Sequence, residues 1–492
     1  FGASGATFKY YAPPSVVAVS PKMGPMSGGT VLSVTGTAFG ALDSAQLTCA
    51  FRTVSATASI TPAATAVATR VSPSLLRCVV PSATSIGVAD GEAVTVDVSL
   101  NGVDFSTNSL QFTFAADASL MAASPVSGPI SGGTSVLVTG SNFKSSESLY
   151  CRFGAAVVPA TWLTASAIRC KAPAVAEPIS APLAVSNNKH DFTAASVAFV
   201  YHALIVIDAV TPLGGPVVGS TVVTVRGVGF ANVSTLACRF GSASVAALKF
   251  VNATAVQCTV PTHAAGVVSV DVSNNNMDFT SSGFSFTYQP LPVVSGVVPR
   301  RGPVVGGTAV VLAGSGFENG SLWCRFGIAP VLATGVTATS ATCVSPEGLA
   351  EGGVSITVSN NGVDYASRGV QFVFDAVMAV GSVEPSSGPE MGRTVLTVYG
   401  TNFARASSLS CRFGGSTAKQ VPATWVSSTI VRCTAPGHAP GAVTVGVSSN
   451  GQQYSVSAAP AFTFNVRSTV SSLIPAEGPV SGGTIASVWG TG

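Results

Sequence analysis

The chain has 492 residues, only 9% of them charged, and a formal net charge of +3. Soluble proteins carry roughly 25% charged residues, and so weak and scattered a charge excludes a nucleic-acid or anionic-membrane surface, which needs clustered Lys and Arg. No run reaches the ~18 apolar residues of a membrane-spanning helix.

Phe8-Lys9-Tyr10-Tyr11 reads as the last strand of a repeat that precedes the others, so residues 1–14 are assigned to its end. Ala12-Pro13-Pro14-Ser15 has a composition that could carry O-linked sugars. Pro21 and Gly24-Pro25-Met26-Ser27-Gly28-Gly29-Thr30 then form a stiff turn feeding an alternating strand, Ser33-Val34-Thr35-Gly36. Pro presets φ, and Gly takes the positive-φ positions. The turn returns behind Pro125, Pro212, Pro299, Pro385 and Pro475, at steps of 104, 87, 87, 86 and 90 residues. Self-similarity at a fixed period governs the whole reading. It divides the chain into 15–116, 117–203, 204–289, 290–376, 377–466 and the start of a sixth repeat, 467–492. The first repeat is long through insertions, and its Ala/Thr-rich stretch Ser59 to Thr69 reads as a surface loop.

Each whole repeat holds two Cys: Cys49/Cys78, Cys151/Cys170, Cys238/Cys258, Cys324/Cys343 and Cys411/Cys433. In four repeats the first stands in Cys-Arg-Phe-Gly, and the second precedes a Pro by three residues, with two between them. No Cys-x-x-Cys or Cys/His spacing for zinc occurs. The pattern predicts one disulfide per repeat and an oxidising, extracellular compartment. A loop of about 20 residues closed in this way is worth roughly 3 kcal/mol. The sequons at Asn232, Asn252 and Asn319 accord with that compartment and are expected to carry N-glycans; the alternative is an unmodified surface Asn.

A second landmark closes each unit: Asn101-Gly102-Val103-Asp104-Phe105, Asn188-Lys189-His190-Asp191-Phe192, Asn275-Asn276-Met277-Asp278-Phe279 and Asn361-Gly362-Val363-Asp364-Tyr365. Repeat five departs from it with Asn450-Gly451-Gln452-Gln453-Tyr454. Asn-Gly is a hairpin signal, so the last two strands are expected to form a hairpin ending at, for example, Phe112-Thr113-Phe114. Arg152, Arg239 and Arg325 are expected to approach Asp191, Asp278 and Asp364 of their own repeats. Every segment reads as strand, and turns arrive as a β-sandwich requires. The apolar stretch from Ala194 to Val210, broken by Ser196, His202 and Asp208, reads as a closing strand joined to the next opening strand.

The order Pro-x-x-Gly-Pro-x-x-Gly-Gly-Thr, alternating strand, Gly-x-x-Phe, Cys-x-Phe-Gly, Cys-x-x-Pro, Asn-Gly-x-x-Phe/Tyr resembles the IPT/TIG family of immunoglobulin-like domains. The resemblance covers essentially the whole chain. It implies an all-β tandem array of seven-stranded sandwiches, here about 87 residues each. The family occurs in extracellular stalks of plexin-like and fibrocystin-like proteins, in DNA-binding transcription factors, and beside carbohydrate enzymes, so it does not fix function.

No catalytic or metal-binding constellation is found, and neither an enzyme nor a cofactor is expected. The four His (His190, His202, His263, His438) read as loop residues, although His263 and His438 share a repeat position. Trp162 and Trp425, both in Pro-Ala-Thr-Trp, read as core or inter-strand residues, with sugar stacking as the alternative. Three functions stay open: a structural fibre or surface-scaffold subunit, a receptor or adhesin stalk, and accessory repeats of an enzyme. The first is the leading expectation: a semi-rigid rod that packs laterally on itself or on other extracellular surface proteins. Its setting would be a cell surface, with the cell wall or ciliary surface of an alga or protist suggested by composition. No nucleic acid and no membrane insertion is expected in the region seen.

Overall fold

The structure, a computed structural model, describes residues 8–40, 46–54, 62–414, 418–456 and 462–491. Repeat two shows how the sequence builds a sandwich. Ser119–Ser124 pairs antiparallel with Ser135–Ser141, which pairs with Ala167–Lys171, which pairs with the end of Ala156–Thr164. The start of Ala156–Thr164 belongs to the other sheet, where it pairs with Tyr150–Phe153. That strand pairs with Ser180–Ser186, which pairs with the closing strand Val197–His202. The short strand Ser127–Pro129 joins the same sheet parallel to the closing strand, with Pro129 opposite His202.

Alternate side chains of both sheets meet in the core. Val136, Val138, Cys151, Phe153, Ile168, Cys170, Leu183, Val185, Phe199 and Tyr201 are all buried, as the two-residue period of a strand dictates. Phe199 packs edge-to-face on Phe153 and on Tyr201, at 5.2 and 4.9 Å between centroids. Cys151 and Cys170 lie on strands of opposite sheets and are joined, so the bond staples the sandwich through its centre. Cys49–Cys78, Cys238–Cys258, Cys324–Cys343 and Cys411–Cys433 are joined likewise.

Cα packing divides the chain into two compact units. The first runs to Val210 and adds Thr224–Cys258 and Ser269–Phe284; the second holds Thr211–Val223, Thr259–Val268 and everything from Ser285 onward. Within the first, repeat one repeats the pairings of repeat two, including a strand, Ala64–Ser72, that serves both sheets. Ala64 to Thr69 of the expected surface loop are therefore strand, because they extend the ladder beside Thr48–Thr53; residues 59–61 lie outside the described residues. The first repeat also has a single helical turn, Ala83–Ile86, which the strand reading missed. Ser82 caps its start and Gly87, at φ 82°, ends it. Within the second unit, repeats four and five place the Gly-Pro strand parallel to the closing strand, as Arg301–Pro303 on Val370–Asp375 and Ser387–Pro389 on Phe462–Asn465.

The recurring proline turn is one structure throughout. All six leading prolines follow a cis peptide bond. In repeat two the Gly132 N–H donates to the Pro129 carbonyl, and the Gly133 N–H donates to Ala172, just past the second Cys. Gly132 (φ 71°) lies against backbone, and a Cβ there would stand 2.6 Å from Ala174 N; Gly133 (φ 85°) has open space. This separates the two glycines. The first is Gly in all six copies, whereas the second becomes Ser220 and Arg393, which accept φ 70° and 68° with nothing in the way.

Candidate functional site

The chemistry shared by all repeats gathers where one repeat meets the next. Each linker is short: closing strands end at Ala115, His202, Gln289 and Asp375, and the next strands open at Ser119, Val206, Val293 and Ala379, with three residues between them each time. The Asn-x-x-Asp landmark of each following repeat completes the joint.

The turn is built locally first. Ser186 Oγ donates to Asn188 Oδ1 at 2.9 Å, and the same Oδ1 accepts from the N–H groups of His190 and Asp191 at 3.0 and 2.8 Å. This Asx-type capping fixes the amide, and its nitrogen then donates to Asp191 Oδ2 at 2.6 Å. The residue after the Asn sits at positive φ: Gly102, Lys189, Asn276, Gly362 and Gly451. That is why Asn-Gly recurs there. The hairpin expected of the last two strands is present, and this turn is part of its connection. Ser180–Ser186 and Val197–His202 do pair, but the turn between them leaves the sheet.

The turn reaches the neighbouring repeat. Asn188 Nδ2 donates to the Met23 carbonyl at 2.9 Å, and Thr30 Oγ1 donates to Asp191 Oδ2 at 2.7 Å. Thr30 is the last residue of the Gly-Pro-x-x-Gly-Gly-Thr motif of repeat one. The next joint repeats the arrangement: Asn275 donates to the Ser127 carbonyl and Thr134 to Asp278, both at 2.7 Å. In the second unit, Asn361 donates to Gly214 O at 2.8 Å and Thr221 to Asp364 at 2.6 Å. At the fourth joint Gln453 replaces Asp, accepting from Thr308 Oγ1 at 3.0 Å and donating to Gly307 O at 2.8 Å. Gln452 adds two bonds to the backbone of Ala309. The two landmarks noticed separately in the sequence are thus the two halves of one contact. Thr30, Thr134, Thr221 and Thr308 are at most 1% exposed, while Thr394 of repeat five is half-buried. Thr is admitted because the Gly of each Gly-Pro has no side chain: a Cβ on Gly128 would collide with Thr134 Oγ1.

A second asparagine braces the joint from behind. Asn187 accepts from the Lys144 N–H and donates to Asn142 O, and Asn274 and Asn360 do the same for Ala231 with Gly229 and for Glu318 with Gly316.

The expected pairing of Arg152, Arg239 and Arg325 with Asp191, Asp278 and Asp364 is not found: among the described residues, no ion pair joins them. Each Asp is turned to the preceding repeat, and the Arg lies over the aromatic residue that follows it. Arg152, Arg239 and Arg325 stand 4.4, 4.4 and 4.0 Å from the ring centroids of Phe192, Phe279 and Tyr365. Arg412 does the same over Tyr454, and Arg52 over Phe105. Where an acid is present, it comes from the neighbouring strand: Arg239 meets its cross-strand partner Asp271 at 3.2 Å, and Arg52 meets Asp97, which stands opposite Ala50, at 3.6 Å.

The other residues singled out from sequence lie apart from the joint contacts. Trp162 and Trp425 are inter-strand residues whose indoles donate to the carbonyls of Phe143 and Phe403. His263 and His438 stack on Tyr288 and Phe464 of the closing strands, at 4.8 and 4.9 Å. Burial pushes the Tyr288 phenol up to about 12. Asn232, Asn252 and Asn319 are exposed. Among the described residues no group of three or more His, Cys, Asp or Glu is placed to hold a metal, and no helix is long and apolar enough to cross a membrane.

Comparison with known proteins follows the same periodicity. The family model of the IPT/TIG domain matches residues 14–114, 118–201, 206–288, 292–374 and 378–464. Mouse fibrocystin-L is 26% identical over 290 residues, covering 57% of this chain and 7% of that protein. Dog fibrocystin is 27% identical over 43% of this chain and 5% of its own length, and zebrafish plexin A3 is 23% identical over 47% and 13%. The chain therefore spans only a small part of the relatives it matches. Among solved structures, the full extracellular region of plexin A4 aligns with 96% of this chain and 52% of its own, at 14% identity and a TM-score of 0.33. By its five consecutive family matches, the chain belongs to the IPT/TIG domain family.

Proposed function

We propose that this chain is a stretch of the extracellular stalk of a cell-surface protein, receptor- or adhesin-like, and that its repeats space and orient what lies beyond them. The observation that carries this reading is the joint itself. The same side chains bind adjacent repeats across three-residue linkers four times over, which serves a protein whose task is to hold domains in fixed succession. The relatives favour a stalk over a fibre subunit, since they are fibrocystins and a plexin. A bond through the core of each repeat suits an oxidising compartment, and so do exposed sequons. We accordingly assign N-glycans to Asn232, Asn252 and Asn319. The role is one of binding and spacing, not catalysis.

Labelling intact cells with a membrane-impermeant amine reagent tests the reading, followed by peptide mass mapping with and without an N-glycosidase. Labelled peptides from these repeats, with mass shifts at the three Asn, are expected. Labelling only after the cells are opened would overturn the assignment.

A further inference from the structure

The second joint differs from the others in what its side chains leave open. The residue opposite the Gly-Pro proline at the end of the closing strand is Ala115, His202, Gln289 and Asp375 in repeats one to four. Across the joint, the residue whose N–H the bracing asparagine holds is Lys144, Ala231 and Glu318 in repeats two to four. At the third joint Glu318 meets Gln289, whose amide nitrogen donates to the carboxylate. At the first joint Lys144 reaches Asp90 at 3.1 Å. At the fourth, Asp375 is held by Ser449 at 3.2 Å and Arg301 at 3.7 Å. At the second joint the corresponding residues are Ala231, which ends at its Cβ, and His202. Among the described residues the imidazole makes no hydrogen bond, and its Nε2 is shielded without a partner. A cleft of about 510 Å³ lies beside His202 at this joint, against about 30, 10 and 130 Å³ at the first, third and fourth joints.

We propose that this cleft binds an acidic sugar residue, its carboxylate lying beside His202 as the Glu318 carboxylate lies beside Gln289 one joint further on. The third joint shows which group suits the position: there the chain itself supplies a carboxylate beside the equivalent residue, and at the second joint it supplies only a methyl group. A fixed cation lines the same cleft. Arg239 is held by its stack on Phe279 and its bond to Asp271, and its Nε has no partner. Such a guanidinium is pre-organised for a carboxylate. The rest of the lining joins apolar Leu204, Ile205 and Met277, on which a ring face can pack, to Ser131, Asp278 and Thr280, whose hydroxyl and carboxylate oxygens face the hydroxyls of a sugar ring. The volume lies within the range of small-molecule sites, roughly 300–1,000 Å³. An acidic peptide would bring the carboxylate without those hydroxyls.

The test is an NMR titration of the whole five-repeat chain, oxidised and labelled at His, with methyl glucuronoside. Methyl glucoside and N-acetylglutamyl amide are titrated in parallel. The His202 imidazole signal is expected to shift saturably with the glucuronoside, and the other two compounds should bind at least about tenfold more weakly. Ala231→Glu supplies the carboxylate from within and should abolish the shift while leaving the thermal unfolding profile intact. His202→Ala, read by saturation transfer to the glucuronoside, should lose binding about tenfold or more and decides the matter if the first variant folds poorly. No saturable shift, equal binding of the glucoside, undiminished binding after substitution, or preference for the glutamyl amide would each overturn the proposal.

Discussion

Replacing Thr134 by Val removes one hydroxyl and little shape from the second joint. Thr134 is 1% exposed, and its Oγ1 lies 2.7 Å from Asp278 Oδ2. A hydrogen bond to a carboxylate is worth about 1.5–3 kcal/mol net. Asp278 keeps its 2.7 Å bond from Asn275, so the lower half of that range applies. Opening the joint frees the turn, whose Met277 and Asp278 N–H groups bond to Asn275 Oδ1. Hydrogen exchange of the intact chain reads such local opening without requiring the whole array to unfold in one step. Peptides spanning 274–280 should exchange about tenfold faster or more in Thr134→Val. Thr394→Val is the control: the residue holds the same place in repeat five but is half-buried, and its side chain makes no hydrogen bond among the described residues. It should change exchange by less than about twofold. Equal effects of the two substitutions, or no effect of either on 274–280, would refute the reasoning.

Other outcomes follow from the same geometry. Gly132→Ala forces a Cβ onto the backbone of Ala174 at positive φ and should cost about 3 kcal/mol or more, whereas Gly133→Ser should cost less than about 1 kcal/mol; urea unfolding of the two variants separates them. Arg325→Ala should destabilise repeat four by about 1 kcal/mol through loss of its stack on Tyr365, and Asp364→Asn should leave that cost unchanged in a double-mutant cycle. Burial holds the His202 imidazole below its ordinary 6.5. The unfolded chain then binds the proton more readily, so stability is full above about pH 6.5 and falls as pH drops through the folded value; His202→Gln should flatten that limb of a pH–stability profile. Burial pushes the Asp97 carboxyl up, so between its unfolded and folded values stability falls as pH rises, and Asp97→Asn should remove that slope.

Much of this architecture was legible in the sequence. Pairs of Cys at a fixed place, alternating strands and the proline turn locate the core, because burial imposes its period on the residues that undergo it. The joint was legible only as fragments. Thr134 and Asp278 are 144 residues apart, and nothing within either repeat says that each motif serves its neighbour. The Asn-Gly pair pointed to the hairpin of the last two strands, which is present, but nothing local marked the bonds that its turn makes to the neighbouring repeat. The Arg–Asp pairing went wrong for a related reason. Both residues recur in step, but so does the aromatic residue beside each Asp, and the register gives the guanidinium to the ring. One signal did point the right way. Only the repeat five landmark trades Asp for Gln, and Gln453 still meets Thr308, so the position asks for an acceptor and not for a charge. The cleft at the second joint is lined by Ser131 and His202 of one repeat and by Arg239 and Asp278 of the next, a meeting that no periodic pattern marks.

The measurement that tests the central claim most directly is a double-mutant cycle across the second joint, with Thr134→Val and Asp278→Ala, followed by hydrogen exchange in peptides from both repeats. If adjacent repeats are bound through this pair, the double variant should fall short of the sum of the single effects by about 1 kcal/mol or more, and protection should drop on both sides of the joint. Additivity within about 0.5 kcal/mol, with each effect confined to its own repeat, would contradict it.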